Sequence, residues 1–471
     1  MIKQQVISEF KRAFNFDKTT ASRGIGVECE IPIVEEAGEA VSLRGIQNMF
    51  LYLEKIGFQL DYDDYSGLIV AATRRNAKSA ENFPYCTDTI TTDTAYSTLE
   101  VVLAPQHNLH DIQSQLEEVL FLLKTFFDSQ NCLMLGCGIQ PISPPSRKLL
   151  MPKERYCFFE KLSTNHLVKQ QTGADSSLLN ITASNQCHIE IGLEDGLIAA
   201  NVLNALSGLQ IALHANSPIC EGSVDANRKA NREMMWDVCF PNRLQQIGIP
   251  PAFASAESYI AYLLNFKTLL VKREGQYFQI INRDSFSDFL LNQVPATGVS
   301  LEGKERIIEP RADDIEQLIP FGWFNARLVP KYGTVESRMC CQQPQNEMLT
   351  PSALTLGLVE NLQAAHEFST RYSLSTWREI RIQAARDALE ATVEGKHIVA
   401  LLGEFLDIAK AGLQGRQLGE EVFLQPLYER IEQRQVPADL AIEVFKKRGM
   451  KAFLQHVAFK NEAFSYRYKV A

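Results

Sequence analysis

Apolar and polar positions along the chain follow two regimes. Up to about residue 345, short segments with the period-two alternation of half-buried strands are interleaved with segments of the 3.6-residue helical period. Beyond 345 the helical period takes over almost completely. From Asn108 to Phe127, Leu109, Ile112, Leu116, Val119, Leu120 and Leu123 share one helix face behind an N-cap at Asn108. A second helix is predicted from Leu197 to His214, ended by the breaker Asn216, Ser217, Pro218. Thr376 followed by Glu379 has capping-box spacing before a helix that Gly395 can close. A last helix is predicted to start after Pro437 and stop near Gly449. With no low-complexity linker and no internal repeat, the expected organisation is a main body over residues 1–345 with a helical subdomain over 346–471 packed on it.

Four of the predicted strands are apolar except for ionisable residues at alternate positions. In GVECEIPIV, Glu28 and Glu30 point one way while Val27, Cys29 and Ile31 point the other. Two unpaired carboxylates on such a strand are costly to bury and need cations, and Mg²⁺ or Mn²⁺ suits oxygen ligands. An edge strand with a solvated acidic face accounts for the same residues equally well. TTDTAYSTLEVVLAP sets Glu100 inside an apolar strand, with Asp93 seven residues before it across a polar turn. NQCHIEIGL puts His188 and Glu190 on one face, although a lone histidine there is more often a hydrogen-bonded core group than a ligand. YGTVESRMCC puts Glu336 beside Arg338, a pair that can equally be a structural ion pair.

Four unrelated strands would each have to acquire ionisable residues on one face, so a common polar cavity is the simpler account. Glutamates for divalent ions, with arginines for carboxylate and phosphoryl oxygens, are the parts phosphoryl transfer needs. The arginines come from ANSPICEGSVDANRKANREMMWDVCFPNR, which holds Arg228, Arg232 and Arg243. Arg228 and Lys229 alone read as a solvated basic loop.

Composition narrows the partners. A net charge of -9 argues against nucleic acid, because phosphate backbones are held by clustered Lys and Arg. The N-terminal KQQVISEFKRAFNF lacks the uninterrupted apolar core of a signal peptide, and the longest apolar run, VLFLLKTFF, is too short to cross a bilayer. No membrane association is expected, and the expected location is cytoplasmic. Ten cysteines without CxxC spacing read as small buried hydrophobes in a reducing compartment. Neither GxxxxGK[ST] nor GxGxxG is present, which disfavours a P-loop or Rossmann nucleotide site.

The order and spacing of these motifs resemble the glutamate-cysteine ligase family, particularly the branch shared by plant and many bacterial enzymes and related carboxylate-amine ligases. GVECE is similar to the family's GxExE strand, and Asp93 with Glu100 to its D-x6-E pair. ANSPICEG, continuing to Arg232, Trp236 and Arg243, resembles its ANSPFxEG followed by R-x3-W-x6-R, and TVESR resembles its closing E-x-R strand. The resemblance covers about residues 20 to 345, loosely over 265–330.

The resemblance implies an α+β, glutamine-synthetase-like fold: a curved antiparallel sheet with a concave active site, and helices outside. It implies ATP- and Mg²⁺-dependent joining (Mn²⁺ possible) of the glutamate γ-carboxylate to the amine of cysteine, through γ-glutamyl phosphate. Glu28, Glu30, Glu100, Glu190 and Glu336 would be metal ligands, with Asp93 assisting them. Arg232 and Arg338 would hold the phosphoryl group and glutamate carboxylates, and Arg243 and His188 complete the implied substrate contacts. The chain departs from the family at Glu190, where Gln or Asn is frequent, and in the spelling of TVESR. Its partners would be ATP and small amino-acid substrates. The alternatives are a ligase of the same fold acting on another acid or amine, and a catalytically silent homologue.

Overall fold

The computed structural model describes all residues except 1, 20, 165–175, 226–227, 268–269, 293 and 464–471. The apolar alternation of the first predicted strand appears as Ile25–Glu35, whose Val27, Cys29, Ile31 and Ile33 are buried to 1% exposure or less. It lies inside a nine-stranded antiparallel sheet, between Thr98–Val102 on one side and Ser184–Glu190 on the other. Thr334–Cys341 pairs with the far edge of Ser184–Glu190, and Ala326–Val329 closes that side. Thr87–Thr92, Ile69–Arg75 and Gln59–Tyr62 extend the opposite side, and Cys132–Met134 pairs with the end of Ile25–Glu35. The four motif-bearing strands are therefore consecutive in space although they span more than 300 residues of chain. A separate four-stranded antiparallel sheet, Leu270–Arg273, Gln276–Ile280, Ala296–Val299 and Glu305–Ile308, lies in the loosely matched interval.

Helices cover one face of the large sheet. Thr350–Glu360 packs on Ser184–Glu190, while Leu193–Ala205 and Ser207–Leu213 pack on Thr334–Cys341. One hydrophobic core takes in Cys29 and Ile189 from the strands together with Leu354, Leu356, Phe405 and Leu413 from the helices after residue 345. The chain changes period near 345, and the packing is continuous across it. Helix Thr350–Glu360 crosses Val399–Arg416 so closely that a Cβ at Gly357 would collide with the Ala409 carbonyl.

Asn108 caps the helix Leu109–Ser129, its side chain accepting from Asp111 N–H, as the pattern predicts. Three helix expectations change. The segment predicted as one helix over 197–214 is two, Leu193–Ala205 and Ser207–Leu213, bent by 55° at Leu206 and buried in the core. Ser373 rather than Thr376 caps Leu374–Asp387, because its hydroxyl reaches Thr376 N–H, and Gly395 sits in the turn of a short hairpin, with φ 75°. The last helix, Pro437–Val457, does not stop at Gly449 but breaks there at φ 76° and resumes. Among the described residues, no single helix is long and apolar enough to cross a membrane.

Candidate active site

Strand geometry alone brings the acidic residues into line. Glu30 lies directly opposite Glu100, and Glu28 directly opposite Gln186. His188 lies opposite Gly26 on one side and Glu336 on the other, where a Cβ at Gly26 would stand 3.3 Å from His188 Cβ. Like charges facing each other across paired strands are destabilising unless a cation lies between them. Glu28, Glu30, Asp93, Glu100, His188, Arg232, Glu336 and Arg338 all line one cleft of about 490 Å³. The sheet forms its floor, and Tyr156, Trp236, Phe321, Trp323 and Tyr332 stand around it.

The electrostatics divide the carboxylates into two sets. Burial, then the Asp93 charge, pushes the Glu30 carboxyl up to about 7. Burial likewise raises Asp93, and burial with the charges of Glu28, Asp93 and Glu30 raises Glu100 well above its usual range. Buried carboxyls that raise one another in this way are groups whose charged form a divalent cation would favour. Glu336 behaves oppositely. Burial would raise it, but Arg327 and Arg338 outweigh that and hold it well below the usual carboxylate range. Arg327 Nε donates to Glu336 Oε2 at 2.5 Å, and Arg338 donates to Glu336 and, at 2.9 Å, to Gln186 Oε1.

The donors fit a divalent cation. One ligand atom each from Glu28, His188 and Glu336 lies within 4.8 Å of the other two. His188 Nε2 is 3.1 Å from Glu28 Oε1, while Nδ1 faces Thr334 Oγ1 at 3.0 Å, a contact that orients the ring toward the carboxylates. Carboxylate oxygens with one imidazole suit Mg²⁺ or Mn²⁺. The cleft also fits an anion: Arg232 is 4% exposed, lines the cleft, and its Nε has no hydrogen-bond partner among the described residues. Lys153 adds a half-buried cation near Glu100 and Asp93, donating to Thr91 Oγ1 and Thr92 O, with loss of hydration lowering it to about 8.

Three expected roles change. Glu190 shares the strand face but sits at its end, beyond His188, where its carboxylate accepts from Gly24 N–H at 3.0 Å; it does not line the cleft. Gln186 takes the inner position, two residues before His188, and donates to Glu30 Oε1 at 2.8 Å. Arg243 lies outside the lining, in the turn after helix Asn231–Cys239, with Nη1 3.4 Å from Gln246 Oε1. His188, expected among the substrate contacts, stands between Glu28 and Glu336, in a group of side chains that could hold a metal ion. Gln186 was discoverable from the period of two, and Arg327 from the hairpin that pairs it with Glu336. Lys153 and Arg155 stand at the start of helix Glu154–Thr164, where the sequence carries no motif that marks them.

A family profile described as glutamate-cysteine ligase family 2 matches residues 24–452, so the helices after 345 fall within the match. Glutamate-cysteine ligase A, chloroplastic, of Oryza sativa subsp. indica is 23% identical over 357 residues, 74% of this chain and 68% of that protein. The chloroplastic glutamate-cysteine ligase of Arabidopsis thaliana is 23% identical over 350 residues, 73% of this chain and 63% of that protein. A crystal structure of glutamate-cysteine ligase from Francisella tularensis in complex with AMP superposes with a TM-score of 0.54 at 12% identity. That alignment covers 97% of this chain and 91% of the other, and shows a shared fold.

Proposed function

The chain belongs to glutamate-cysteine ligase family 2, and on that premise we propose that its cleft joins the γ-carboxylate of glutamate to the amine of cysteine, with ATP converted to ADP and phosphate. It is an ATP-dependent carboxylate-amine ligase. The observation that carries the reading is one cleft in which carboxyl groups raised by burial and by one another's charge face a buried arginine whose Nε has no partner among the described residues.

Glu28, His188 and Glu336 would hold one divalent ion, Mg²⁺ in this proposal, and Glu30, Glu100 and Asp93 would hold others. Bound there, the ions would neutralise charge on the phosphoryl oxygens. Arg232 and Arg338 bind and orient the anionic groups, the γ-phosphoryl of ATP and the glutamate carboxylates. A γ-carboxylate oxygen attacks the γ-phosphorus and ADP leaves, giving an acyl phosphate. The cysteine amine then attacks the acyl carbon, loses a proton and expels phosphate. Aromatic side chains around the cleft exclude water, which would otherwise hydrolyse the acyl phosphate. A cytoplasmic, reducing location is part of the same proposal, supported by ten cysteines that are all free thiols.

The test is ADP release by the purified protein with ATP, Mg²⁺ and glutamate, with and without cysteine, followed by the product mass. Cysteine-dependent ADP release with a γ-glutamylcysteine mass is expected. ADP release that depends on another amine overturns the acceptor assignment, and no ADP under any condition overturns the ligase reading.

A further inference from the structure

Helix Leu374–Asp387 contributes no residue to the cleft lining, yet the helix carrying Arg232 is mounted on it. That carrier, Asn231–Cys239, is nine residues long, too short to hold itself in place. Backbone bonds pin its start. Lys229 and Ala230 N–H donate to Ala385 O at 3.1 and 2.9 Å, and Lys229 N–H also reaches Arg386 O at 3.2 Å. These are last-turn carbonyls, which lack partners within their own helix. Just beyond them, Ala388 turns the chain away at φ 52°, a backbone conformation rarely adopted by residues with a side chain.

The same helix supplies Arg381, 5% exposed, which grips the carrier from the side. Its Nε and Nη2 donate to Glu233 Oε1 at 3.0 and 2.8 Å, and Nη1 donates to Asp237 Oδ2 at 2.9 Å. Glu233 and Asp237 are one helical turn apart, so one planar fork holds one helix face. Glu233 adjoins Arg232, with Oε2 3.6 Å from Arg232 Nη1. Arg381 Nε also donates to Asn325 Oδ1 at 3.0 Å, and Asn325 O accepts the backbone N–H of Arg338 at 2.9 Å. One guanidinium thus touches the supports of both anion-binding arginines. Gly248 leaves room for it: a Cβ there would lie 2.9 Å from Arg381 Cζ, and Gly248 O accepts from Asn325 N–H.

We propose that Arg381 is a positioning residue for the ligase reaction, fixing Arg232 and Arg338 relative to each other where the phosphoryl group is transferred. The inference rests on the reading of those two arginines given above. Lysine keeps the charge at 381 but cannot reproduce a fork held by two carboxylates and an amide. A misplacement of about 1 Å at a reacting centre costs on the order of 100-fold in rate.

The experiment is steady-state kinetics of the full chain with ATP, Mg²⁺, glutamate and cysteine on Arg381→Lys, Asp237→Asn, Arg232→Lys and the double variant R232K/R381K. Arg378→Gln is the control, because Arg378 docks the same helix through Ile249 O at 3.1 and 3.0 Å without touching Glu233. For Arg381→Lys, kcat should fall by about 30- to 100-fold with KM for ATP and cysteine within about threefold. The double variant should lose little beyond Arg232→Lys alone, because both changes act on one interaction. Asp237→Asn should shift kcat in the same direction by less, and Arg378→Gln should leave kcat unchanged. A folded Arg381→Lys with normal kcat, or losses that multiply in the double variant, overturns the proposal and leaves Arg381 a structural role. If Arg381→Lys does not fold, a normal kcat in Asp237→Asn overturns it. A normal kcat for Arg232→Lys overturns the underlying reading instead, in a protein whose Arg381 is intact, so the two failures are distinguishable.

Discussion

Glu30 offers a test in which losing a charge of the proposed metal site makes the protein more stable. It is 5% exposed, faces Glu100 across paired strands, and has its carboxyl raised from 4.5 to about 7. A carboxyl raised on folding binds its proton more tightly in the folded state. Between pH 4.5 and 7 the folded metal-free chain therefore holds more protons than the unfolded one, and stability falls as pH rises through that window. The shift is 7 − 4.5 = 2.5 units; at 1.36 kcal/mol per unit it costs about 3 kcal/mol at pH 8 and about 1 kcal/mol at pH 5.5. Glu30→Gln removes this cost by substituting a neutral amide of similar shape. In EDTA, urea unfolding followed by tryptophan fluorescence should show the variant gaining about 2 kcal/mol on the wild type between pH 5.5 and pH 8. With Mg²⁺ and substrates the same variant should have lost turnover, because a neutral amide binds Mg²⁺ poorly. Parallel pH dependence of stability in the two proteins would refute the reasoning, and full activity would remove Glu30 from the metal site.

Three more outcomes follow from the same geometry. Because Glu30 and Glu100 are both raised, divalent-ion binding should release protons and tighten from pH 6 to pH 8; calorimetry in two buffers of different protonation enthalpy should give unequal heats, and equal heats would count against these ligands. Glu336→Gln should act on stability with the opposite sign to Glu30→Gln. It leaves Arg327 and Arg338 without their shared buried carboxylate, a loss of about 3–5 kcal/mol by urea unfolding in EDTA, and no change in midpoint would refute the pairing. Glu190→Gln should keep kcat close to that of the wild type, since its carboxylate is bonded to Gly24 N–H outside the cleft; a loss matching that of Glu30→Gln would return it to the metal set.

The amino-acid sequence by itself determined what depends on neighbours along the chain. Alternation put Glu28 and Glu30 on one face and Val27, Cys29 and Ile31 on the other, whatever strands they were to meet. Asn108 capped its helix through an amide oxygen that reaches the N–H three residues ahead, and motif spacing carried the family relationship. Only the tertiary structure decided which faces meet. Strand order set Ser184–Glu190 between the first strand and the closing one, so that Gln186 and His188 fell inside the cleft and Glu190 past its end. A register shift between Ser337 and Cys340 accompanies the turn of Arg338 onto Gln186, and helix packing put Arg381 against Glu233, 148 residues away. The reason is that side-chain direction on a strand or helix is a local property with a fixed period. Pairing, register and helix docking depend on long-range burial, which one segment does not contain.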